Sequence, residues 1–284
     1  MKSRLLMLGI TLLTMHHSQT VMAQTLLGGQ LQDTDIVHEY VHPTKVMWQT
    51  ETSVTHAENL LKDFSGQVSV TQQDCCLFST KKGGECSVLL DFGREMHGCL
   101  QIVSAIRDVN QPARFRVRLG ESVSEAMSDV HTSNATNDHA MRDMLVEVPW
   151  LGSVCTSNTG FRFARIDLLE DTVDVPIAAI RAVAQYRDIE YKGSFSCSDS
   201  RLNAIWQTGA YTVHMNMQDF VWDGIKRDRL VWIGDMHPEV MTINSVFGWQ
   251  PVVGKSLDFA RDDTPLPNTQ HPTPITQHPS PNTQ

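Results

Sequence analysis

Chemically versatile side chains are concentrated in one short stretch, which runs from Trp222 to Asp235. Its fourteen residues include three aspartates, three basic residues and two tryptophans, and a glycine stands beside two of the aspartates. Carboxylates can transfer protons and indoles can pack on the apolar face of a sugar, so this mixture is typical of a glycosidase subsite. The same residue types also form ion pairs and interhelical contacts without any chemical role, and composition alone favours neither interpretation.

Apolar runs of helical character flank this stretch on both sides. Before it, Ser198 and Asp199 are N-cap residue types, and a helix over residues 200–218 is predicted by an apolar stripe at Leu202, Trp206, Ala210, Val213 and Met217. After it, Pro238 fits a first helical turn and Gly248 fits a stop, which predicts a second helix over 238–248. The chemical stretch is therefore predicted to be a loop on a helical scaffold, where catalytic side chains are often found.

The chain before residue 190 has the pattern of β-strands. Predicted strands lie at Val46–Trp48, Gln67–Thr71, Ser87–Phe92, Leu100–Val103, Arg114–Leu119, Phe161–Leu168 and Ile180–Tyr186. Gly93 and Gly98 separate the third and fourth of these, which predicts a hairpin. Short alternating strands divided by turn residues predict an antiparallel β-sandwich.

Charge and composition exclude several classes of partner. The 284 residues have a net charge of −9 at pH 7, which argues against nucleic acid or an anionic membrane because phosphate binding needs a basic face. No later segment is apolar enough for a membrane span. Residues 121–144 are predicted to be a solvated loop whose His131 and His139 lack a metal-ligand spacing, so no metal or cofactor is expected. The six cysteines should be mostly buried thiols, with one optional disulfide among Cys75, Cys76, Cys86 and Cys99.

The two ends of the chain differ from the rest. Lys2 and Arg4, the apolar run Leu5–Met15 and the small-residue site at Val21–Ala23 predict a signal peptide cleaved after Ala23, and hence a periplasmic or secreted protein. Residues 265–284 repeat with a period of seven and are rich in proline, which predicts a disordered low-complexity tail. We interpret this abrupt change as a lost reading frame, so a C-terminally truncated protein is expected.

The chemical stretch Trp222-Asp-Gly-Ile-Lys-Arg-Asp-Arg-Leu-Val-Trp-Ile-Gly-Asp235 resembles a known signature. It is similar to the pattern Asp-x-x-x-x-(Glu/Asp)-Arg-x-x-x-Trp-x-Gly-Asp of bacterial α-L-rhamnosidases of glycoside hydrolase family 78. Gly193–Trp206 resembles the entry to that family's helical barrel, and Leu90–Arg94 and Gly160–Phe163 resemble its preceding β-sandwich. The resemblance covers residues 40–265, roughly, and its central motif is the specific part.

The resemblance implies an (α/α)6 barrel and inverting hydrolysis of terminal α-L-rhamnose. Inversion uses two carboxyl groups roughly 6.5–9.5 Å apart, one protonating the leaving oxygen and the other activating water. By position in the motif, Asp228 is the general acid, Asp223 and Asp235 hydrogen-bond the sugar hydroxyls, and Trp232 lines the same pocket. Many family members have Glu at the acid position, so Asp228 is one methylene shorter. The family's general base is a distant downstream Glu, and we do not assign that role to Glu239.

Proton donation near neutrality requires a raised pKa, which the neighbours of Asp228 would oppose. Lys226, Arg227 and Arg229 would lower this pKa if they turned toward the carboxyl group, whereas burial or Asp223 would raise it. The alternative for Asp228 is an ion pair with a neighbouring arginine. Asp223 and Asp235 could similarly act in capping or salt bridges, and Trp222 is expected to pack between the helices.

We therefore predict a multidomain β plus α protein. Its expected parts are a signal peptide (1–23), a β-sandwich domain (24–190), the N-terminal fragment of an (α/α)6 barrel (191–264) and the tail (265–284). The expected function is that of a glycosidase acting on rhamnose-containing oligosaccharides, polysaccharides or glycosides, impaired by truncation. The alternatives are a non-catalytic carbohydrate-binding β-sandwich module and another (α/α)6 glycosidase or lyase. The isolated helices should expose apolar faces.

Overall fold

The computed structural model describes residues 35–64, 66, 74–107, 110–130, 140–226 and 228–263. Several predicted features lie outside these residues. They are the signal peptide, the strand Gln67–Thr71, both His131 and His139, and the tail 265–284.

Ten strands make up the first part of the described chain. They are β1 (Ile36–Val41), β2 (Lys45–Gln49), β3 (Val54–Thr55), β4 (Cys76–Ser79), β5 (Ser87–Ser104), β6 (Ala113–Gly120), β7 (Asp143–Val148), β8 (Gly152–Cys155), β9 (Thr159–Leu168) and β10 (Asp174–Arg187). A 3-10 helix (Ala57–Leu61) and a short helix α1 (Val123–Met127) lie between them. The described strand pairs are antiparallel, and their main path runs β3-β4-β10-β5-β9-β6-β7. The predicted antiparallel β-sandwich is confirmed.

The sandwich core is built from alternating side chains, as the sequence pattern predicts. Phe115, Val117 and Leu119 on β6 are fully buried, so the predicted inward face of that strand is correct. Aromatic rings meet edge to face in this core, with Phe78 against Phe115 and Phe92 against Phe161 at centroid distances of 5.5 and 5.6 Å. Such contacts add to the free energy of area burial. All six cysteines are free thiols, and three of them are buried.

The predicted hairpin between residues 92 and 100 is wrong, because β5 continues through it as one strand of 18 residues. Its first half pairs with β2, its second half pairs with β10 and β8, and its pairing with β9 extends from Ser87 to Gly98. Gly93 adopts a φ of 81° where the pairing with β9 shifts register between Asp91 and Met96. A glycine in this conformation is typical of a bulge as well as of a turn, and local sequence does not separate the two.

An ion pair joins the two sandwich motifs, Leu90–Arg94 on β5 and Gly160–Phe163 on β9. The Arg162 guanidinium donates to both carboxylate oxygens of Asp91 at 2.8 and 2.9 Å. This bidentate contact is the main reason that the pKa of Asp91 is lowered. The backbone N–H of Gly93 also donates to Asp91, which fixes the bulge beside the pair.

Three helices follow the sandwich: α2 (Ser200–Asn216), α3 (Ile233–Val246) and α4 (Pro251–Asp263). The predicted cap of α2 is confirmed, because the Asp199 side chain accepts from the Arg201 N–H. The start predicted for α3 is wrong: the helix begins at Ile233, and Pro238 lies inside it. The backbone N–H groups of Asp235 and Met236 both donate to the Trp232 carbonyl, which starts the helix one turn before the proline. Helix α4 was not predicted.

A second, smaller core holds the helices together. Its buried members include Ala210, Met217, Ile243, Phe247 and Val252. Leu202 was predicted to belong to the packed stripe of α2, but it is about half exposed, as are Ile205 and Met241. The expected exposed apolar faces are therefore present on α2 and α3. Within the described ranges, none of the helices has both the length and the apolar content needed to cross a bilayer.

Candidate active site

The predicted loop joins α2 to α3, and its first residues are anchored to elements on both sides. The Arg187 guanidinium, at the end of β10, donates twice to the Gln218 carbonyl at 3.0 and 2.6 Å. The Val221 N–H donates to the hydroxyl of Ser256 on α4 at 2.8 Å. The loop therefore starts from a fixed position between the sandwich and the last helix.

The segment from Asp223 to Leu230 is closed on itself by two hydrogen bonds. The Asp223 N–H donates to the Leu230 carbonyl at 3.1 Å, and the Leu230 N–H donates to Asp223 Oδ1 at 2.9 Å. Within it, Asp228 and Arg229 have φ values of 60° and 53°, a left-handed conformation that costs free energy in residues other than glycine. Asp228 is exposed inside this closed loop. Asp223 Oδ1 therefore closes this loop, and its predicted role in binding sugar hydroxyls stays a prediction.

The inner side of the loop packs on the sandwich. Ile225 is 5% exposed and lies over Gly160 of β9, where an added Cβ would be 2.7 Å from Ile225 Cγ1. His97 of β5 lies against the Trp222 ring, with centroids 5.3 Å apart, and its Nδ1 is 3.3 Å from the Ile225 carbonyl. Burial lowers the pKa of His97 to about 4, so the neutral ring donates to this carbonyl through Nδ1. Trp222 therefore contacts the sandwich through His97, and its predicted place between the helices stays a prediction.

Lys226 forms a buried ion pair with the sandwich. Its Nζ is 2.7 Å from Glu125 Oε2, and the two side chains are 4% and 3% exposed. Glu125 lies in the first turn of helix α1, where its N–H donates to the hydroxyl of the N-cap residue Ser122. Glu95 lies in the same charged cluster, where burial and then the charge of Glu121 raise its pKa to about 7 while Lys226 opposes the shift.

Arg229 also contacts the sandwich. Its Nη1 donates to the Asn158 carbonyl at 3.1 Å, and its guanidinium lies 6.0 Å from the centroid of the Trp222 ring. Two of the three basic residues around Asp228 are therefore bound to other groups, Lys226 to a carboxylate and Arg229 to a carbonyl. Arg227, the third, lies outside the described residues.

The remaining predicted site residues lie at the start of α3. Trp232 is the N-cap residue and is 50% exposed, and Asp235 is exposed in the first turn. A negative charge at a helix N-terminus is stabilised by the helix dipole, so Asp235 is favourably placed as a carboxylate. Asp228, Trp232 and Asp235 thus all present their side chains to solvent.

Glu239 is a buried carboxyl group to which the sequence analysis assigns no role as general base. It is 8% exposed on α3, where its Oε1 accepts from the side-chain amide of Asn216 at 3.2 Å. Its Oε2 is buried and has no hydrogen-bond partner among the residues that the structure describes. Burial raises the pKa of Glu239 to about 7, and the charges of Asp235 and Asp223 act in the same direction. Glu239 therefore belongs to the electrostatic environment of the predicted sugar-binding aspartates.

Several residues of the site were not predicted, and they differ in whether a local sequence pattern marks them. Glu125 had a signal, because Ser122-Val-Ser-Glu125 is a capping box inside a segment interpreted as solvated loop. The motif Gly160–Phe163 is recognisable in the sequence, but no local sequence pattern indicates that the absence of a side chain at Gly160 makes room for Ile225. His97 and Glu239 had no distinguishing pattern. Among the described residues, no group of three or more His, Cys, Asp or Glu side chains is arranged to hold a metal ion.

A cavity of about 280 Å³ lies between the sandwich and α2. Its lining includes Tyr191, Tyr211 and His214, together with His97. The ring of His214 bridges the Tyr191 hydroxyl and the Arg187 carbonyl. None of the four predicted site residues lines this cavity, so it is separate from the loop's exposed side.

Comparison with known sequences gives a family match for the C-terminal part of the chain. Residues 190–284 match the sequence model of the bacterial alpha-L-rhamnosidase 6 hairpin glycosidase domain. A 78-residue segment is 33% identical to an alpha-L-rhamnosidase of Formosa agariphila, and this segment is 28% of the present chain and 8% of that protein.

Comparison with solved structures extends the likeness to the sandwich. A rhamnosidase from Klebsiella oxytoca with rhamnose bound aligns with a TM-score of 0.61 and 19% identity, over 78% of this chain and 43% of its own. The GH78 rhamnosidase of Bacillus sp. GL1 aligns with a TM-score of 0.59 and 20% identity, over 74% of this chain and 21% of its own. The chain thus spans less than half the length of these relatives. Over the part it shares with them, the chain is similar to α-L-rhamnosidases of glycoside hydrolase family 78, and residues 190–284 match the model of their six-hairpin glycosidase domain.

Proposed function

We propose that this chain provides the proton-donor side of an α-L-rhamnosidase active site, with Asp228 as the general acid. The supporting observation is the loop geometry: Asp228 is exposed in a closed segment while Lys226 and Arg229 bind elsewhere. A carboxyl group in this place can protonate the oxygen that leaves with the aglycone. The substrates are glycosides, oligosaccharides or polysaccharides that end in α-L-rhamnose.

The residues at the start of α3 hold the sugar in this proposal. Asp235 accepts hydrogen bonds from sugar hydroxyls, and Asp223 does so with its second carboxylate oxygen, because Oδ1 already accepts from Leu230. The half-exposed indole of Trp232 packs against the apolar face and the methyl group of rhamnose. Deoxygenation at C6 gives this sugar an apolar edge that suits such a contact.

The stereochemical outcome in this proposal is inversion, as the resemblance implies. One carboxyl group protonates the leaving oxygen, and a second carboxylate, on the opposite side of the ring, removes a proton from the attacking water. The α-linked sugar is then released first as the β-anomer. Glu239 is not the second group, because its buried carboxyl group is bound to Asn216.

The decisive experiment is an assay of the purified chain with an aryl α-L-rhamnoside. Replacement of Asp228 by Asn should reduce turnover by about 10²- to 10⁴-fold, the usual contribution of general acid catalysis. Asp174→Asn, at the far end of β10, is the matched control and should retain turnover. Proton NMR of the first product should show β-L-rhamnose.

Other outcomes would favour the alternative functions. Rhamnose binding by both proteins without turnover would support a carbohydrate-binding module. Release of a different sugar from a panel of aryl glycosides would support another (α/α)6 glycosidase, and unsaturated products would support a lyase. Retained turnover in Asp228→Asn would refute the assignment of the acid.

We also propose that the protein is exported, on the basis of the basic and apolar pattern of residues 1–23. Expression in a bacterial host should yield periplasmic or secreted protein whose first residue is Gln24, as determined by N-terminal sequencing. Cytoplasmic protein that retains Met1 would contradict this proposal.

A further inference from the structure

The loop with Asp228 contacts the sandwich at four successive points. Trp222 lies against His97, the Ile225 carbonyl accepts from the same histidine, Lys226 pairs with Glu125, and Arg229 donates to Asn158. The last two of these residues flank the position of Asp228. The sandwich therefore forms the floor on which the loop is held.

Among these contacts, the Lys226–Glu125 pair is a buried ion pair. Both partners are almost completely removed from water, and the N–O distance is 2.7 Å. A buried ion pair contributes little net stability, but removal of one partner leaves an uncompensated buried charge and is strongly unfavourable. Such a pair therefore discriminates between the observed loop position and any position in which Lys226 is displaced. It specifies geometry more than it stabilises the fold.

Glu125 is also held in place by other residues of the sandwich. The Glu121 N–H donates to Glu125 Oε2, and the Arg142 guanidinium donates to the Glu125 carbonyl. Arg142 is fully buried, and it also donates to the carbonyls of Ser128 and Asp129 at the end of α1. The acceptor for Lys226 is thus part of the rigid sandwich.

We propose that Lys226 is a positioning residue, which fixes the Asp228 loop by pairing with Glu125 of the sandwich. This inference rests on the proposed function of Asp228, since a positioned loop matters only if the loop contains the acid. Lys226 does not touch the substrate. It acts two residues away, by preventing the inner side of the loop from leaving the sandwich.

The test is hydrogen exchange of peptides that cover residues 222–230, with a matched pair of lysine variants. Lys226→Met removes the ammonium group and keeps an apolar stem. Lys81→Met removes another lysine with the same N–O distance of 2.7 Å, to Asp174, but that pair is much more exposed. Loop exchange should accelerate on the order of tenfold or more in Lys226→Met and remain unchanged in Lys81→Met. Exchange in β9 should be the same in all three proteins.

Trypsin cleavage of the Arg229–Leu230 bond gives a second readout, and it should be faster in Lys226→Met alone. If that variant does not fold, Glu125→Gln/Lys226→Met leaves no unpaired buried charge and should show the same mobile loop on an intact sandwich. Wild-type exchange and cleavage in a folded variant would overturn the positioning role. Because neither readout requires turnover, failure of the Asp228 assignment would be seen separately, in the Asp228→Asn assay. Where turnover is present, Lys226→Met should lower kcat more than it changes KM.

Discussion

The two sides of the α2–α3 loop differ in almost every physical property. The inner side, Trp222 to Lys226, contains Ile225 and Lys226, which are 5% and 4% exposed and contact the sandwich. The outer side, Asp228 to Asp235, is mostly exposed, and its exposed residues include Asp228, Trp232 and Asp235. The left-handed backbone at Asp228 and Arg229 lies just past the transition between them. Most residues that hold the loop on the sandwich therefore lie on its inner side, with Arg229 as an exception, and the candidate residues for chemistry at Asp228, Trp232 and Asp235 lie on its outer side.

This division explains how a strained loop can persist. Left-handed residues other than glycine cost of order 1–3 kcal/mol each, and they persist only where surrounding contacts enforce them. Here the enforcing contacts are those of the inner side with the sandwich, the Arg229–Asn158 hydrogen bond and the closing pair between Asp223 and Leu230. On the outer side, Asp228, Trp232 and Asp235 are exposed, so a ligand can reach them from solvent.

The largest expected effect is the loss of turnover in Asp228→Asn, with no loss of stability. The substitution is nearly isosteric and exposed, so the midpoint of thermal unfolding should stay close to that of the wild type, while kcat falls about 10²- to 10⁴-fold. Thermal melts and kinetics on the same preparation measure both quantities. A large drop in melting temperature would show that Asp228 has a structural role, which would remove the distinction between the two sides.

The second effect concerns the pH dependence of stability at Glu239. The pKa of this carboxyl group is about 7 when folded and 4.5 in the reference state, so its contribution is fully present below pH 4.5 and is lost as the pH rises through 7. Relative to Glu239→Gln, the wild type should therefore lose on the order of 2–3 kcal/mol of unfolding free energy between these limits. Urea denaturation at several pH values measures the difference.

Two comparisons make the Glu239 measurement specific. His97 contributes the opposite slope, because its lowered pKa destabilises the folded state as the pH falls from 6.5 toward 4. That slope is present in both proteins and cancels in their difference. Glu51→Gln alters an exposed glutamate of the sandwich and should keep the wild-type pH dependence. Parallel curves for Glu239→Gln and wild type would refute the raised pKa.

Gly160→Ala tests the packing of the inner side. The added methyl group would lie 2.7 Å from Ile225 Cγ1, so Ile225 must move, and we expect a loss of about 1–3 kcal/mol, typical of overpacking. Gly209→Ala is the control, because nothing lies near that position on α2 and alanine is favoured over glycine in a helix. Chemical denaturation of both variants should give opposite signs. Unchanged stability in Gly160→Ala would indicate that the loop is not held against β9.

The smallest effect is expected at Trp232. This side chain is half exposed, so Trp232→Ala should change the unfolding free energy by less than about 0.5 kcal/mol while it weakens rhamnose binding severalfold. Trp249→Ala removes a more exposed indole just after α3 and should leave binding unchanged. Calorimetric titration with rhamnose distinguishes the two. Equal affinity in Trp232→Ala and wild type would remove Trp232 from the proposed sugar site.

Much of the fold could be predicted from the sequence, because strands and helix ends are marked by local residue patterns. Alternation predicted β6 and its buried face, Asp199 predicted the start of α2, and Gly248, with a φ of 75°, predicted the end of α3. The errors arose where one local pattern fits two structures. Gly93 serves a bulge inside β5, and Pro238 lies within α3 instead of at its first turn.

The residues available for chemistry were likewise found from the sequence, since type and spacing identify a motif without coordinates. The partners of the loop were not, because they are distant along the chain: Glu125 is 101 residues from Lys226, and His97 is 128 residues from Ile225. No periodicity connects such positions. The sequence by itself therefore determined which side chains could transfer a proton or hold a sugar. Only the tertiary structure decided that Lys226 and Arg229 turn to the sandwich, because their direction depends on acceptors that folding brings to the loop.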